Sequence, residues 1–247
     1  MVHRDLGGKR RCDDARWRSS SRMAALMRVL VVGLVAMTSC ATTSARADDT
    51  QLWASTRLTA RLAPHIMASN ETVYRTSEER GDYDFVDHIQ AGYQFNRHVT
   101  LWIGYTHQTT MSHGRKSYTE QRFRQQVNFE NVVRLGPAQL GGRLRIEQRW
   151  RNAQSGTGWR VRPQEKLVLP VIGKISVSIS HEDFIDLNRT SFQSVAGVER
   201  MRNAVTLTVP LNKHLSLEVG YLQQHLFGPT NSSSDANAAT LAVSGSF

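Results

Sequence analysis

The chain has 247 residues, enough for one large domain or two small ones, and a formal net charge of +10. Residues 1–47 hold nine Lys/Arg against three Asp, whereas the remaining 200 residues hold 22 Lys/Arg against 18 Asp/Glu. The basic surplus therefore belongs mainly to the N-terminus, which argues against a nucleic-acid-binding body.

The N-terminal stretch reads as an export signal. "MRVLVVGLVAMTSCATTSARADD" combines a basic start at Arg28, an apolar run from Val29 to Met37 and an A-x-A site at Ala45-Arg46-Ala47. The run is too short to cross a bilayer as a helix. Cleavage is expected after Ala47, dividing the chain into an N-terminal extension with signal peptide (1–47) and a mature body (48–247). Residues 1–22 are basic and polar without apolar periodicity, so translation is expected to start at Met23 or Met27, with a long leader as the alternative. Cys12 and Cys40 both precede the cleavage site, leaving a mature chain without disulfides or thiol chemistry. Lipidation of Cys40 is the competing reading; against it, Met37 occupies the position where a lipobox wants Leu.

The mature chain shows period-two alternation and no helical periodicity. Eleven segments of roughly ten residues carry it, as transmembrane strands do: 51–62, 65–75, 84–95, 99–109, 119–134, 138–151, 157–169, 174–184, 198–210, 214–226 and 237–247. The apolar face is plain in Leu52, Leu58 and Leu62, in Phe85, Ile89 and Tyr93, in Leu215, Leu217 and Val219, and in Leu241, Val243 and Phe247. Short connections at 96–98, 136–138, 170–174 and 212–214 alternate with longer polar ones near 75–83, 110–118, 185–197 and 227–237. "NSSSDANAA" (231–239) reads as a flexible outer loop.

This pattern predicts an all-β, up-and-down antiparallel transmembrane β-barrel of 10–12 strands. An even number is the rule for bacterial single-chain barrels. Ten or twelve is therefore expected, through a twelfth strand within 186–200 or a first segment that does not span. A soluble lipocalin-like barrel shares the alternation with its apolar face inside. The export signal, the terminal Phe247 on the apolar face and the loop asymmetry favour the membrane barrel.

One face of the central strands is densely charged. Leu144, Ile146 and Trp150 alternate with Arg143, Arg145, Glu147, Arg149 and Arg151. The preceding strand offers Arg122, Arg124 and Glu130, the following one Arg160, Arg162 and Lys166. On a lipid face such charges would cost several kcal/mol near the midplane, about 2–4 for Arg or Lys. The lumen is their expected place. Arg122, Arg124, Glu130, Arg143, Arg145, Glu147, Arg149, Arg160 and Arg162 are the candidate ligand-binding residues, since guanidinium forks match phosphate and sulfate oxygens. The plainer reading is a plug of paired Arg and Glu, with Glu130 and Glu147 supplying much of the compensation.

Several stretches also resemble a known family. "QLWASTRLTARLAPH", "RLRIEQRW" followed by "GWRVRPQEKL", "ISHEDFIDLN" and "LNKHLSLEVGYLQQ" resemble the bacterial outer-membrane family catalogued as domain of unknown function 2490. The resemblance spans nearly all of 50–247. It implies an outer-membrane barrel and brings no activity. Pro163 departs from the unbroken alternation and predicts a local break in that strand.

Other candidates are weaker. Ser180 and His181 are adjacent, so they point to opposite faces of a strand and form no dyad; His88 or His107 would have to supply the partner. Histidines 65, 88, 98, 107, 113, 181, 214 and 225 show no zinc spacing. Trp53 and Trp102 fall on the lumenal face. No catalytic residue, metal or cofactor is implied. The function expected is that of a monomeric structural or surface-exposed barrel with an Arg/Glu-lined lumen; a narrow anion-preferring pore and a lipid-modifying enzyme are the alternatives. The expected partners are outer-membrane lipid, lipopolysaccharide and the barrel-assembly machinery acting on the strand that ends in Phe247.

Overall fold

In the computed structural model, which describes residues 48–79, 81–228 and 233–247, the period-two segments become strands in the expected order. They are β1 (Asp49–Arg61), β2 (Ile66–Ser77), β3 (Gly81–Gln94), β4 (Val99–Ser112), β5 (Arg115–Leu135), β6 (Ala138–Arg151), β7 (Gly158–Ile172), β8 (Ile175–Asp186), β9 (Gly197–Pro210), β10 (Leu215–Phe227) and β11 (Ser233–Ser246). The predicted signal peptide, its cleavage after Ala47 and Cys40 lie outside the described residues.

Each strand pairs with its sequence neighbour, and β1 pairs with β11 to close the barrel. The expectation of ten or twelve strands is corrected to eleven among the described residues. In an up-and-down meander an odd count makes the first and last strands run the same way. The seam is accordingly parallel, from Asp49↔Ala236 to Thr59↔Ser246. The first segment is paired along its length, and 187–196 is an irregular loop with no twelfth strand. Two backbone hydrogen bonds lock the end of the seam: Arg61 N donates to Phe247 O (2.8 Å) and Phe247 N to Thr59 O (2.9 Å).

The loop asymmetry is smaller than the sequence suggests. Among the described residues the expected loops at 75–83 and 110–118 are mostly strand, with turns at 78–79 and 113–114. His113 (φ 48°) and Gly114 (φ 75°) both adopt the left-handed region, as a two-residue type I′ hairpin requires. From Ser233 onward the expected flexible segment is strand β11. The longer described connections are 152–157 and 187–196, both on the rim where β11 begins, called here the loop rim.

The opposite rim, the turn rim, carries a repeated device. His65, His98 and His214 each stand at a turn and place Nδ1 2.8 Å from a carbonyl of the following hairpin: Gln94 O, Glu130 O and Ser246 O. Asn96 and Asn212 cap two of these turns by accepting from the backbone N–H groups two and three residues on. These histidines serve the turns.

The faces are inverted relative to a water-soluble core. Leu52, Leu58, Phe85, Ile89, Ile103, Leu144, Ile146, Leu207, Leu241 and Val243 are exposed on the outside, while Gln51, Thr106, Gln108, Glu120, Arg145, Glu147 and Glu182 are buried inside. Trp53 and Trp102 are lumenal, as expected, and Tyr83 and Phe184 join them there. Gly92 makes room for Trp102; a Cβ there would lie 2.6 Å from its ring. Pro163 interrupts the β7–β8 ladder between Val161 and Gln164 without moving the register, because it lacks only its own N–H.

Candidate functional site

The charged face of β5–β8 points into the lumen and forms two ion-pair clusters, one around Glu120 and Asp186 and one around Glu147 and Glu182. Glu120, on β5, is 1% exposed and binds three guanidinium groups: Arg122 (2.6 Å), Arg149 (2.9 Å) and Arg151 (2.8 Å). Glu147, on β6, is 0% exposed and meets Arg162 at 2.9 Å, Arg145 at 3.6 Å and Arg124 at 3.9 Å. Glu182, on β8, divides its oxygens between Arg143 (2.8 Å) and Arg162 (2.9 Å). Asp186 holds Arg160 at 2.5 Å, and Arg160 also reaches Glu199 (3.2 Å), which pairs with Arg200 (3.1 Å). Arg75–Asp84 (3.1 Å) and Arg57–Glu71 (2.6 Å) continue the ring on β1–β3.

Strand geometry produces this directly. Residues two apart share a face about 6.5–7 Å from each other, and antiparallel register sets Arg124 opposite Glu147 and Glu147 opposite Arg160. A wall of arginines alone would repel itself; carboxylates on alternate strands interleave it. Glu147 Oε2 and the Nε atoms of Arg124, Arg143 and Arg162 are buried without a hydrogen-bond partner, so each carboxylate carries a large share of the compensation.

The charged side chains divide the lumen. A cavity of about 650 Å³ opens on the loop-rim side and one of about 380 Å³ on the turn-rim side. Arg57, Glu71, His88, Arg124, Arg143, Arg145 and Glu218 line both, so this belt of side chains is the septum between them. His88 is fixed there, with Nδ1 2.7 Å from Thr106 Oγ1 and 2.6 Å from Arg124 Nη1. The loop 187–196 folds over the loop-side chamber: Gln193 is buried, accepts from Arg149 Nη1 (3.0 Å) and donates to Asn188 O (2.7 Å).

Eight of the nine candidate residues read from the sequence join the ion-pair clusters: Arg122, Arg124, Arg143, Arg145, Glu147, Arg149, Arg160 and Arg162. Glu130 does not. A bulge after Phe129, with Asn131 at φ 52°, leaves Glu130 exposed at the turn rim, where it lines the smaller chamber. Glu120, Glu182 and Asp186 take the compensating role expected of it. Glu120 continues the alternation of Arg122 and Arg124 by one step, and Glu182 and Asp186 share the face of Ser180; extending those faces would have found all three. The contribution of Gln193 had no such signal, because it depends on how a loop folds back.

Ser180 lines the lumen and His181 faces outward, beside Asn203 (2.7 Å) and Asp183 (3.2 Å). None of the hydrogen-bond partners of His88 is Ser180. Among the described residues, no group of three or more His, Cys, Asp or Glu side chains is placed to hold a metal ion.

The model of a family described as "Protein of unknown function (DUF2490)" matches residues 50–235, from β1 into the start of β11. An uncharacterized protein of Methylorubrum extorquens is 29% identical over 139 residues, a match covering 54% of this chain and 60% of that relative.

Proposed function

The chain belongs to the family described as protein of unknown function (DUF2490), which brings no activity with it, and from the lumen we propose an outer-membrane β-barrel whose interior is sealed by salt bridges and whose role is structural or surface-exposed. The observation that carries this is the pairing of an apolar exterior with a septum of Arg57, Glu71, Arg124, Arg143 and Arg145 across the interior. A barrel in lipid needs the first. A conducting pore would lack the second.

Secondary support comes from aromatic residues near both rims, where such side chains sit at membrane interfaces. Tyr93, Phe95, Phe129 and Phe247 are exposed toward the turn rim; Tyr74, Phe85, Trp150 and Trp159 are exposed toward the loop rim. In this reading the export signal is cleaved after Ala47, the exterior contacts membrane lipid and lipopolysaccharide, and the assembly machinery engages β11 through Phe247.

Fractionation and planar-bilayer recording test the proposal together. The protein is expected in the outer-membrane fraction, to begin at Asp48, to migrate anomalously on unheated gels and to give no steady conductance. Recovery from the soluble periplasm, or a diacylated Cys40, would defeat the location. A stable anion-selective conductance would replace the sealed barrel with the anion pore.

A further inference from the structure

We infer that the loop-side chamber contains an oxyanion-binding site centred on Arg202, taking a phosphate, sulfate or carboxylate group of a ligand larger than that group alone. Every other lumenal arginine described above has a carboxylate within 4 Å. Arg202 has none among the described residues. It lies directly across the β8–β9 ladder from Glu182, but both oxygens of Glu182 are committed to Arg143 and Arg162. Its one hydrogen bond runs from Nε to Gln224 Oε1 (2.9 Å), a neutral oxygen that also accepts from Arg200 Nη1 (3.2 Å). The two terminal nitrogens of Arg202 donate to nothing among the described residues, and the residue lines the 650 Å³ chamber.

The surroundings concentrate positive charge at this point. The Arg202 guanidinium lies between Trp53 (4.8 Å) and Phe184 (4.5 Å). Arg75 sits over the same Trp53 at 4.0 Å, and Arg162 over the same Phe184 at 4.0 Å. Ring faces attract guanidinium groups and hold them in place, but they supply no negative charge. A planar fork with free N–H donors beside two further guanidinium groups fits an oxyanion bound through paired hydrogen bonds. Asp48, Glu79 and Asp235 line the outer part of the chamber, so the ligand must carry its negative charge at the end that reaches Arg202. The chamber falls within the roughly 300–1,000 Å³ of small-molecule sites. The inference rests on the lumen and holds or fails independently of membrane location and conductance.

The test titrates inorganic phosphate and glycerol 3-phosphate into the folded, detergent-solubilised protein at constant ionic strength, reading melting temperature and calorimetric affinity. Saturable stabilisation by phosphate, absent with chloride, is expected for the wild type. Arg202→Gln is expected to weaken phosphate affinity by about tenfold or more. Gln224→Glu supplies the missing carboxylate from within, so that barrel should melt higher than wild type and lose its response to phosphate. This second variant keeps the test decisive if Arg202→Gln misfolds. Mass spectrometry of the protein purified from membranes separates the sources: a phosphorylated lipid retained by the wild type and lost in Gln224→Glu identifies a headgroup, whereas binding of the soluble phosphates without retained lipid identifies a free ligand. Equal responses to phosphate and chloride, or an undiminished phosphate response in Gln224→Glu, would overturn the site.

Discussion

Two neighbouring parts of the lumen wall are built on different plans. Strands β5–β8 project Arg122, Arg124, Arg143, Arg145, Arg149, Arg160 and Arg162 inward with Glu120, Glu147, Glu182 and Asp186 between them. Strands β9–β11 carry fewer charges there, Glu199, Arg200, Arg202 and Glu218, beside Leu222, Gln224 and Leu226, and otherwise offer small lumenal groups: Ala204, Thr206, Gly220, Ala236, Ala238, Thr240 and Ala242. The barrel crosses its interior with ion pairs, because the large apolar residues are mostly committed to the outside. The contrast also locates the weak points: the charged wall fails by losing a charge, the small wall by gaining volume.

The largest effect is expected at Glu147. It is fully buried among three arginines, and removing one member of a buried ion cluster strands the others. Glu147→Gln is expected to destabilise the barrel by about 3–5 kcal/mol in urea unfolding, well above the change of about 1 kcal/mol that a hydrated site would give. Arg162→Met should couple to it more strongly in a double-mutant cycle than Arg145→Leu, since Arg162 is the nearer partner. Strict additivity for both pairs would remove the network.

A middle-sized effect is expected on the small wall. Ala238 is 1% exposed, and Ala238→Leu should cost about 1–3 kcal/mol by overpacking, measured in the same unfolding series. An unchanged midpoint would show that the small wall has room there. The smallest effect is expected at Arg57, whose side chain is 48% exposed in its pair with Glu71. Arg57→Gln should change stability by about 0–1 kcal/mol, and a loss as large as that of Glu147→Gln would erase the distinction between septum rim and septum centre.

Most of the fold was legible because period two states which residues share a face, and that is all a meander needs. All eleven segments are strands, and the facing of Arg143 to Arg151 followed from alternation alone. The strand count was not, because an odd barrel differs from an even one only in the parallel β1–β11 seam, a contact between residues some 190 positions apart that no local pattern records. The pairing expected of Glu130 failed for a local reason: it keeps the lumenal side but stands exposed at the turn rim, where the bulge at Asn131 interrupts the β5–β6 ladder. Arg202 passed unnoticed because its distinction is the absence of a partner, and Glu182 stands opposite it in register yet is drawn toward Arg143 and Arg162. Which arginine a carboxylate chooses depends on side-chain reach across three strands, beyond what spacing encodes.

The central claim is that the charged face is the inside and the apolar face meets lipid. Single cysteines placed along β6 from Arg143 to Trp150, in a chain with Cys12 and Cys40 replaced by Ser, can carry a fluorophore in bilayers containing nitroxide-labelled lipid. The account predicts that labels at 144, 146 and 150 are quenched while those at 143, 145, 147 and 149 are protected. Quenching in the opposite phase, or at none of these positions, would contradict it.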